Sequence, residues 1–293
     1  MHTKPDIPGP NPRVEAPREK LPEGACDTHA HLFGPQEKYP YQPTRGYTPP
    51  DATETSYRQL LNTLGFQRAV LVQPSVYGTD NRRMLDTLAA STDTDPIEWR
   101  GVAVVDRHIG DEELSRMNAL GVRGIRINLV FPGGVTFEDI VSLAARIKPF
   151  GWHIQFFVDV SKFENLAERL SKLPVPSVVD HMGHLSTRLG IANPGFRALV
   201  DLMAEGRTWV KLTGPNRIST LPEAPFTDVE PFFEALREAR QDRCLFGTDW
   251  PHVQLPTPMP PDHVLVNEFM RLVPDDQGRQ AILVDNPATL YGF

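Results

Sequence analysis

Short apolar runs alternate along this chain with longer segments whose apolar positions recur at helical spacing. The runs fall at 26–33, 69–73, 101–105, 124–129, 153–158, 177–180, 208–212 and 244–247. They have strand length, and a near-continuous apolar strand is one buried on both faces, as in a parallel sheet covered by helices. Strand and helix patterns in alternation are repeated βα units, and eight of them predict a closed TIM (β/α)8 barrel of the α/β class. The intervening helices carry start signals: Thr136-x-x-Asp139 and Ser161-x-x-Glu164 have the spacing of capping boxes. In the segment 137–148, Phe137, Ile140, Val141, Ala144 and Ile147 are expected on one stripe against the barrel wall.

Length changes this picture little, because 293 residues suit one α/β barrel without a second domain. A Pro-rich extension over 1–23 precedes the barrel, which is expected to occupy 24–293, and the Pro-rich stretch 255–261 reads as a long loop walling the site after the last strand. No apolar run reaches the roughly 18 residues of a membrane helix, and the N-terminus lacks the charged start and apolar stretch of a secretory signal. A cytoplasmic protein with no membrane partner is expected, as a monomer or a homo-oligomer. Cys26 and Cys244 fit neither a disulfide framework nor a C-x-x-C pair, and are expected as buried free thiols. The net charge of −7 argues against nucleic acid as a partner, although local arginines can still bind a small anion.

Candidate chemistry lies at the strand ends. In Asp27-Thr28-His29-Ala30-His31 the two histidines are two apart on a strand, so they share one face, expected to be the barrel interior. Asp180-His181 follows Val178-Val179, and Thr248-Asp249-Trp250 follows Leu245-Phe246-Gly247. Taken singly, a histidine is more often a satisfied core residue, and a carboxylate such as Asp249 a loop or capping group. Three histidines and a carboxylate on the rim where barrel enzymes keep catalysis form a set that chance does not readily assemble.

The set His29-x-His31, His181 and Asp249 resembles the amidohydrolase superfamily (amidohydrolase-related family 2). The segments Tyr47-Thr48-Pro49, Val72-Gln73-Pro74-Ser75, 121–128, 180–183 and Gly247-Thr248-Asp249-Trp250-Pro251-His252 place the resemblance in the branch of 2-pyrone-4,6-dicarboxylate lactonase and related lactonases. It runs from about Gly24 to Phe293. It implies hydrolysis of a small anionic lactone, with Asp249 as general base for water and His29, His31 and His181 polarising the ring carbonyl. By the same match Arg126, Arg217, Tyr47, Ser75 and His252 would bind substrate. Read alone, the arginines are equally surface charge and the tyrosine equally packing. Arg123 is expected in a structural ion pair.

The chain departs from that branch at Pro132-Gly133-Gly134 where a basic residue is expected, at Phe157 for a tyrosine and at His184 for an arginine. Fewer groups therefore remain to hold two carboxylates. Superfamily members with a well-formed mononuclear site add a histidine at the end of strand five, where this chain has Phe156-Phe157. The branch implies no obligatory cofactor. The alternative is one divalent metal, Zn²⁺, on His29, His31, His181 and Asp249, since N and O ligands suit that ion. Competing functions are a lactone isomerase, a metal-dependent decarboxylase and, from another class, a non-catalytic barrel that binds an organic acid.

Overall fold

The computed structural model describes residues 4–92, 94–130, 137–163, 165–255 and 259–293. Eight strands form one sheet in chain order: β1 Cys26–Ala30, β2 Arg68–Val72, β3 Glu98–Ala103, β4 Val122–Asn128, β5 His153–Phe157, β6 Ser177–Val179, β7 Thr208–Lys211 and β8 Cys244–Leu245. All seven neighbouring pairs are parallel. The sheet curls round so that the first strand meets the last. The Thr28 amide donates to the Phe246 carbonyl (3.0 Å), the Asp249 amide to the His29 carbonyl (2.8 Å) and the His31 amide to the Trp250 carbonyl (2.8 Å). This is the TIM barrel expected from the sequence.

β1 and β8 are shorter than the apolar runs that encode them. The β1–β2 register slips between Asp27 and Ala30, and the residues beyond Ala30 and Leu245 spend their backbone groups across the seam instead of extending a ladder. Gly247 permits the close approach, because a Cβ there would stand 2.6 Å from the His29 amide nitrogen. Asp27 pins the seam from inside the wall. One of its oxygens accepts from the Thr248 amide (2.9 Å) and the His29 amide (3.1 Å), the other from Tyr57 Oη (2.8 Å) and Thr248 Oγ1 (2.6 Å).

The helix Glu54–Leu64 shows how the covering layer is encoded. Thr53 caps its start by accepting from the Ser56 amide, and Tyr57, Leu60, Leu61 and Leu64 are its buried stripe at helical spacing. Each such side chain stabilises the fold by about 1.5–3 kcal/mol on full burial. The helix Phe137–Ile147 corrects the expected stripe. Ile140, Leu143, Ala144 and Ile147 are buried, whereas Val141 is 40% exposed, because the helical period turns position 141 off that face. Thr136 and Glu164, partners in the two expected capping boxes, lie outside the described residues, as do Pro132-Gly133-Gly134 and positions 256–258 of the Pro-rich loop. Arg123 makes no ion pair among the described residues; its guanidinium donates to the carbonyls of Asn118 (2.9 Å) and Val122 (2.8 Å). Cys26 and Cys244 are buried and free.

The N-terminal extension lies along the barrel from floor to rim. Its Ile7 amide donates to the Thr48 carbonyl (3.1 Å) and the Thr48 amide to the Pro5 carbonyl (2.9 Å), which braces the loop that carries Tyr47. Asn11 Nδ2 reaches the Met259 carbonyl (3.1 Å), and Arg279 Nη1 donates to Glu19 Oε2 (2.7 Å). At the other end of the barrel His153 opens β5, buried edge-on against Tyr291 with ring centroids 5.3 Å apart. Gly124 makes room for it, since a Cβ there would come within 2.6 Å of the imidazole. Burial pushes the His153 pKa down to about 3. No helix among the described residues is long and apolar enough to cross a membrane.

Candidate active site

Strand ends bring the rim residues together. His29 and His31 sit with ring centroids 5.1 Å apart, and His29 is 4.9 Å from His181, which follows β6. Asp249, after β8, stands among them: Oδ1 is 3.7 Å from His29 Nε2 and 3.8 Å from His181 Nε2. Its other oxygen accepts from Arg217 Nε at 2.5 Å. Asp249 and His181 both hold left-handed backbone, at φ 66° and 52°. Non-glycine residues there are strained by roughly 1–3 kcal/mol, a pattern that clusters at functional sites. The seam bond from the Asp249 amide to the His29 carbonyl is what sets the carboxylate beside the imidazole.

The histidines are neutral. Burial drives His29 and His181 well below the ordinary imidazole range and His31 to about 3, with the Lys211 charge next in order for His29 and the Arg126 charge for His31. His31 Nδ1 lies 2.7 Å from the Val72 carbonyl, which can only accept, so Nδ1 carries the proton and Nε2 keeps a lone pair. His181 Nδ1 is 2.6 Å from Thr213 Oγ1.

Beneath them is a buried network that the sequence reading did not single out. Lys211, the last residue of β7, donates to the Thr28 carbonyl (2.7 Å) and Gln155 Oε1 (2.8 Å), and its third proton faces His29 Nδ1 at 3.3 Å. Asp180 accepts from Gln155 Nε2 (3.1 Å) and has Oδ1 3.4 Å from the same His29 nitrogen. Burial lowers the Lys211 pKa to about 8 against the attraction of Asp180. The signal was a lone lysine within the run 208–212, between Val210 and Leu212.

A cavity of about 270 Å³ opens onto this cluster, walled in part by His31, His181, Asp249, Tyr47, Ser75 and Phe157. Arg126, Arg217, Asn128, Val130, His184, Val253 and Gln254 also line it. His29 is fully buried behind it. Of the five residues matched to substrate binding, Arg126, Arg217, Tyr47 and Ser75 reach the cavity and His252 does not. His252 bonds through Nε2 to Asp262 Oδ1 (2.8 Å), with Nδ1 4.0 Å from Asp249 Oδ2. Burial opposes charge on His252, yet Asp262 and Asp249 lift its pKa above the ordinary value.

The donor chemistry also fits a divalent ion. His29 Nε2 is buried without a hydrogen-bond partner, His31 Nε2 has its lone pair fixed by Val72, and one ligand atom each from His29, His31 and Asp249 lie within 4.8 Å of one another.

An eight-stranded parallel barrel with a carboxylate and imidazoles gathered at its C-terminal rim defines an enzyme of the TIM-barrel class. The chain belongs to the amidohydrolase family, whose model matches residues 26–293. It is 38% identical to the 2-pyrone-4,6-dicarboxylate hydrolase of Comamonas testosteroni over 285 residues, 94% of this chain and 92% of that protein. It is 35% identical to the 4-sulfomuconolactone hydrolase of Hydrogenophaga intermedia, covering 100% and 96% of the two chains. Among solved structures, a putative 2-pyrone-4,6-dicarboxylic acid hydrolase from Pseudomonas putida superposes with a TM-score of 0.81 at 32% identity, covering 93% of this chain and 98% of that one.

Proposed function

We propose that this chain is a lactonase that opens a small anionic lactone with water. The observation that carries the reading is the placement of Asp249, whose carboxylate stands at the cavity wall with the imidazoles of His29 and His181 beside one oxygen and Arg217 on the other. Relatives that hydrolyse lactones, by name, at 35–38% identity support the same chemistry.

Asp249 takes a proton from a water held at the rim, and the hydroxide adds to the ring carbonyl. The carbon–ring-oxygen bond then breaks, and the departing oxygen receives the proton back from Asp249, leaving a hydroxy acid. Arg217 fixes the carboxylate's orientation, which a general base within hydrogen-bond reach of its water requires. His181, on the cavity wall, can donate through Nε2 to the developing oxyanion, where donors act most strongly in the transition state, while His29 stands buried behind it beside Asp249. His31 donates to Val72 instead, so in its neutral form its role at Nε2 is that of an acceptor or a ligand. Of the four expected ligands, His29, His31 and Asp249 would hold a divalent ion such as Zn²⁺, His181 being grouped with His29 and Asp180 instead, and when bound the ion would supply carbonyl polarisation and a more acidic water. The proposal requires no such ion, because the His181 imidazole on the cavity wall remains as a donor.

The test is a pH-indicator assay of the purified protein over carboxylated lactones, before and after chelation. Acid release is the expected result, and its survival of chelation fits a histidine donor alone. Release that stops on chelation and returns with Zn²⁺ assigns the polarisation to the ion. No acid release from any pyrone, muconolactone or sugar-acid lactone overturns the lactonase.

A further inference from the structure

The cations of the cavity are unequally committed. Arg217 gives Nε to Asp249 and Nη2 to the Val253 carbonyl (3.0 Å), so it is tethered at two points inside the protein. Among the described residues Arg126 makes one long bond, from Nη1 to the Gln73 carbonyl at 3.4 Å, and its Nε has no hydrogen-bond partner although the side chain is only 8% exposed. Asp180 Oδ2 is 3.7 Å from that Nε, close enough to hold the guanidinium in place without using up its donors. Arg126 is thus a buried, preset fork with unused N–H groups beside Ser75 and Tyr47, the form of site that grips one carboxylate.

The adjoining wall, where the Arg126 guanidinium lies 5.3 Å over the Phe157 ring, offers no second cation among the described residues. Phe157 packs edge-on against His184 with ring centroids 4.7 Å apart and against His181 at 5.7 Å. His184 is an imidazole, which at its ordinary value near 6.5 carries no charge at pH 7.5, and its Nδ1 is buried without a hydrogen-bond partner among the described residues. Lys162, whose charge is felt at His184, is paired with Asp159 at 2.8 Å. The segments 131–136 and 256–258, outside the described residues, contain no Lys, Arg or His. A second anion placed at Arg217 would meet the Asp249 carboxylate on the same guanidinium, and one placed at Phe157 and His184 would be desolvated with no cation to pair it.

We propose that the cavity takes a lactone bearing a single carboxylate, with Arg126 holding that group and the uncharged Phe157–His184 wall excluding a second anion. The substrate class rests on the lactonase reading above; the one-anion preference rests on the cavity alone. The proposal sets this chain apart from its relatives, whose names specify a dicarboxylate and a sulfonated muconolactone.

The experiment pairs turnover with binding on the full chain at pH 7.5. Turnover compares 2-pyrone-6-carboxylate with 2-pyrone-4,6-dicarboxylate, and muconolactone with 4-sulfomuconolactone. Binding compares benzoate with benzene-1,3-dicarboxylate by calorimetry, which needs no chemistry. The expected result is a preference of at least tenfold for the singly charged member in kcat/KM and in Kd. Arg126→Met should abolish benzoate binding, and His184→Arg should raise kcat/KM for the dianion at least tenfold. Equal or better use of the dianions, or no binding of either benzene acid, overturns the proposal. Tighter benzoate binding with no lactone opened would uphold the one-anion site while the lactonase reading falls.

Discussion

The two ends of this barrel bury the same kind of residue to opposite purpose. At the C-terminal rim His31 closes on a cavity, while at the N-terminal floor His153 is sealed against Tyr291, and burial holds both near a pKa of about 3. Burial and a displaced pKa therefore do not separate a working imidazole from a packed one in this molecule. Position along the strand does: the rim residues face a carboxylate and open space, whereas His153 faces an aromatic ring and the bare backbone of Gly124.

The sharpest way to break the comparison is Asp249→Asn. It should lower kcat by about 10²–10⁴-fold, the usual worth of a positioned base, while the thermal midpoint moves by only a few degrees. An unchanged kcat would deprive the rim of its special standing. Tyr291→Ala on the floor should do the reverse. Removing a buried aromatic typically destabilises by about 3–5 kcal/mol in urea melts, with kcat per folded molecule retained. The floor histidine adds a pH signature. In the unfolded chain His153 titrates at its ordinary value near 6.5, and in the folded chain at about 3. Over that window the unfolded state binds the extra proton, so the stability contribution is whole above pH 6.5 and drains as pH falls toward 3. His153→Gln should flatten the urea-midpoint profile there by up to about 1.4 kcal/mol per pH unit, without altering turnover. The smallest effect is expected from deleting residues 1–12, which frees the Tyr47 loop from Pro5 and Ile7 and Met259 from Asn11. KM should rise a few-fold and kcat should hold; a fall in kcat with KM unchanged would show that the extension supports the floor and not the rim.

Much of this was legible in the chain. The βα alternation predicted all eight strands because parallel strands covered on both faces must be apolar, and the two-residue spacing of His29 and His31 predicted their shared face. Strand ends were less legible, since Gly247 and the β1 register slip are consequences of closure and no local pattern records them. Val141 was misplaced because an apolar residue one step off a helical stripe looks like a member of it. The cluster at the rim was recognisable by residue type and strand position. Its wiring was not: that Arg217 holds Asp249, that His252 turns to Asp262, and that Lys211 stands under His29 are side-chain contacts between separate elements that no local pattern records. Lys211 was the most recoverable of these, as a lone cation between Val210 and Leu212.

The seam between β1 and β8 also orders events in time. Asp27 and Thr248, which it joins, are 221 residues apart, so this contact carries a large loop-closure entropy and comes late in any folding route that gains local pairs first. His29 acquires Asp249 only at that moment. A ribosome must therefore release the chain past Asp249 before the first substrate molecule can be turned over, and in a refolding experiment the return of activity would clock the closing of the barrel itself.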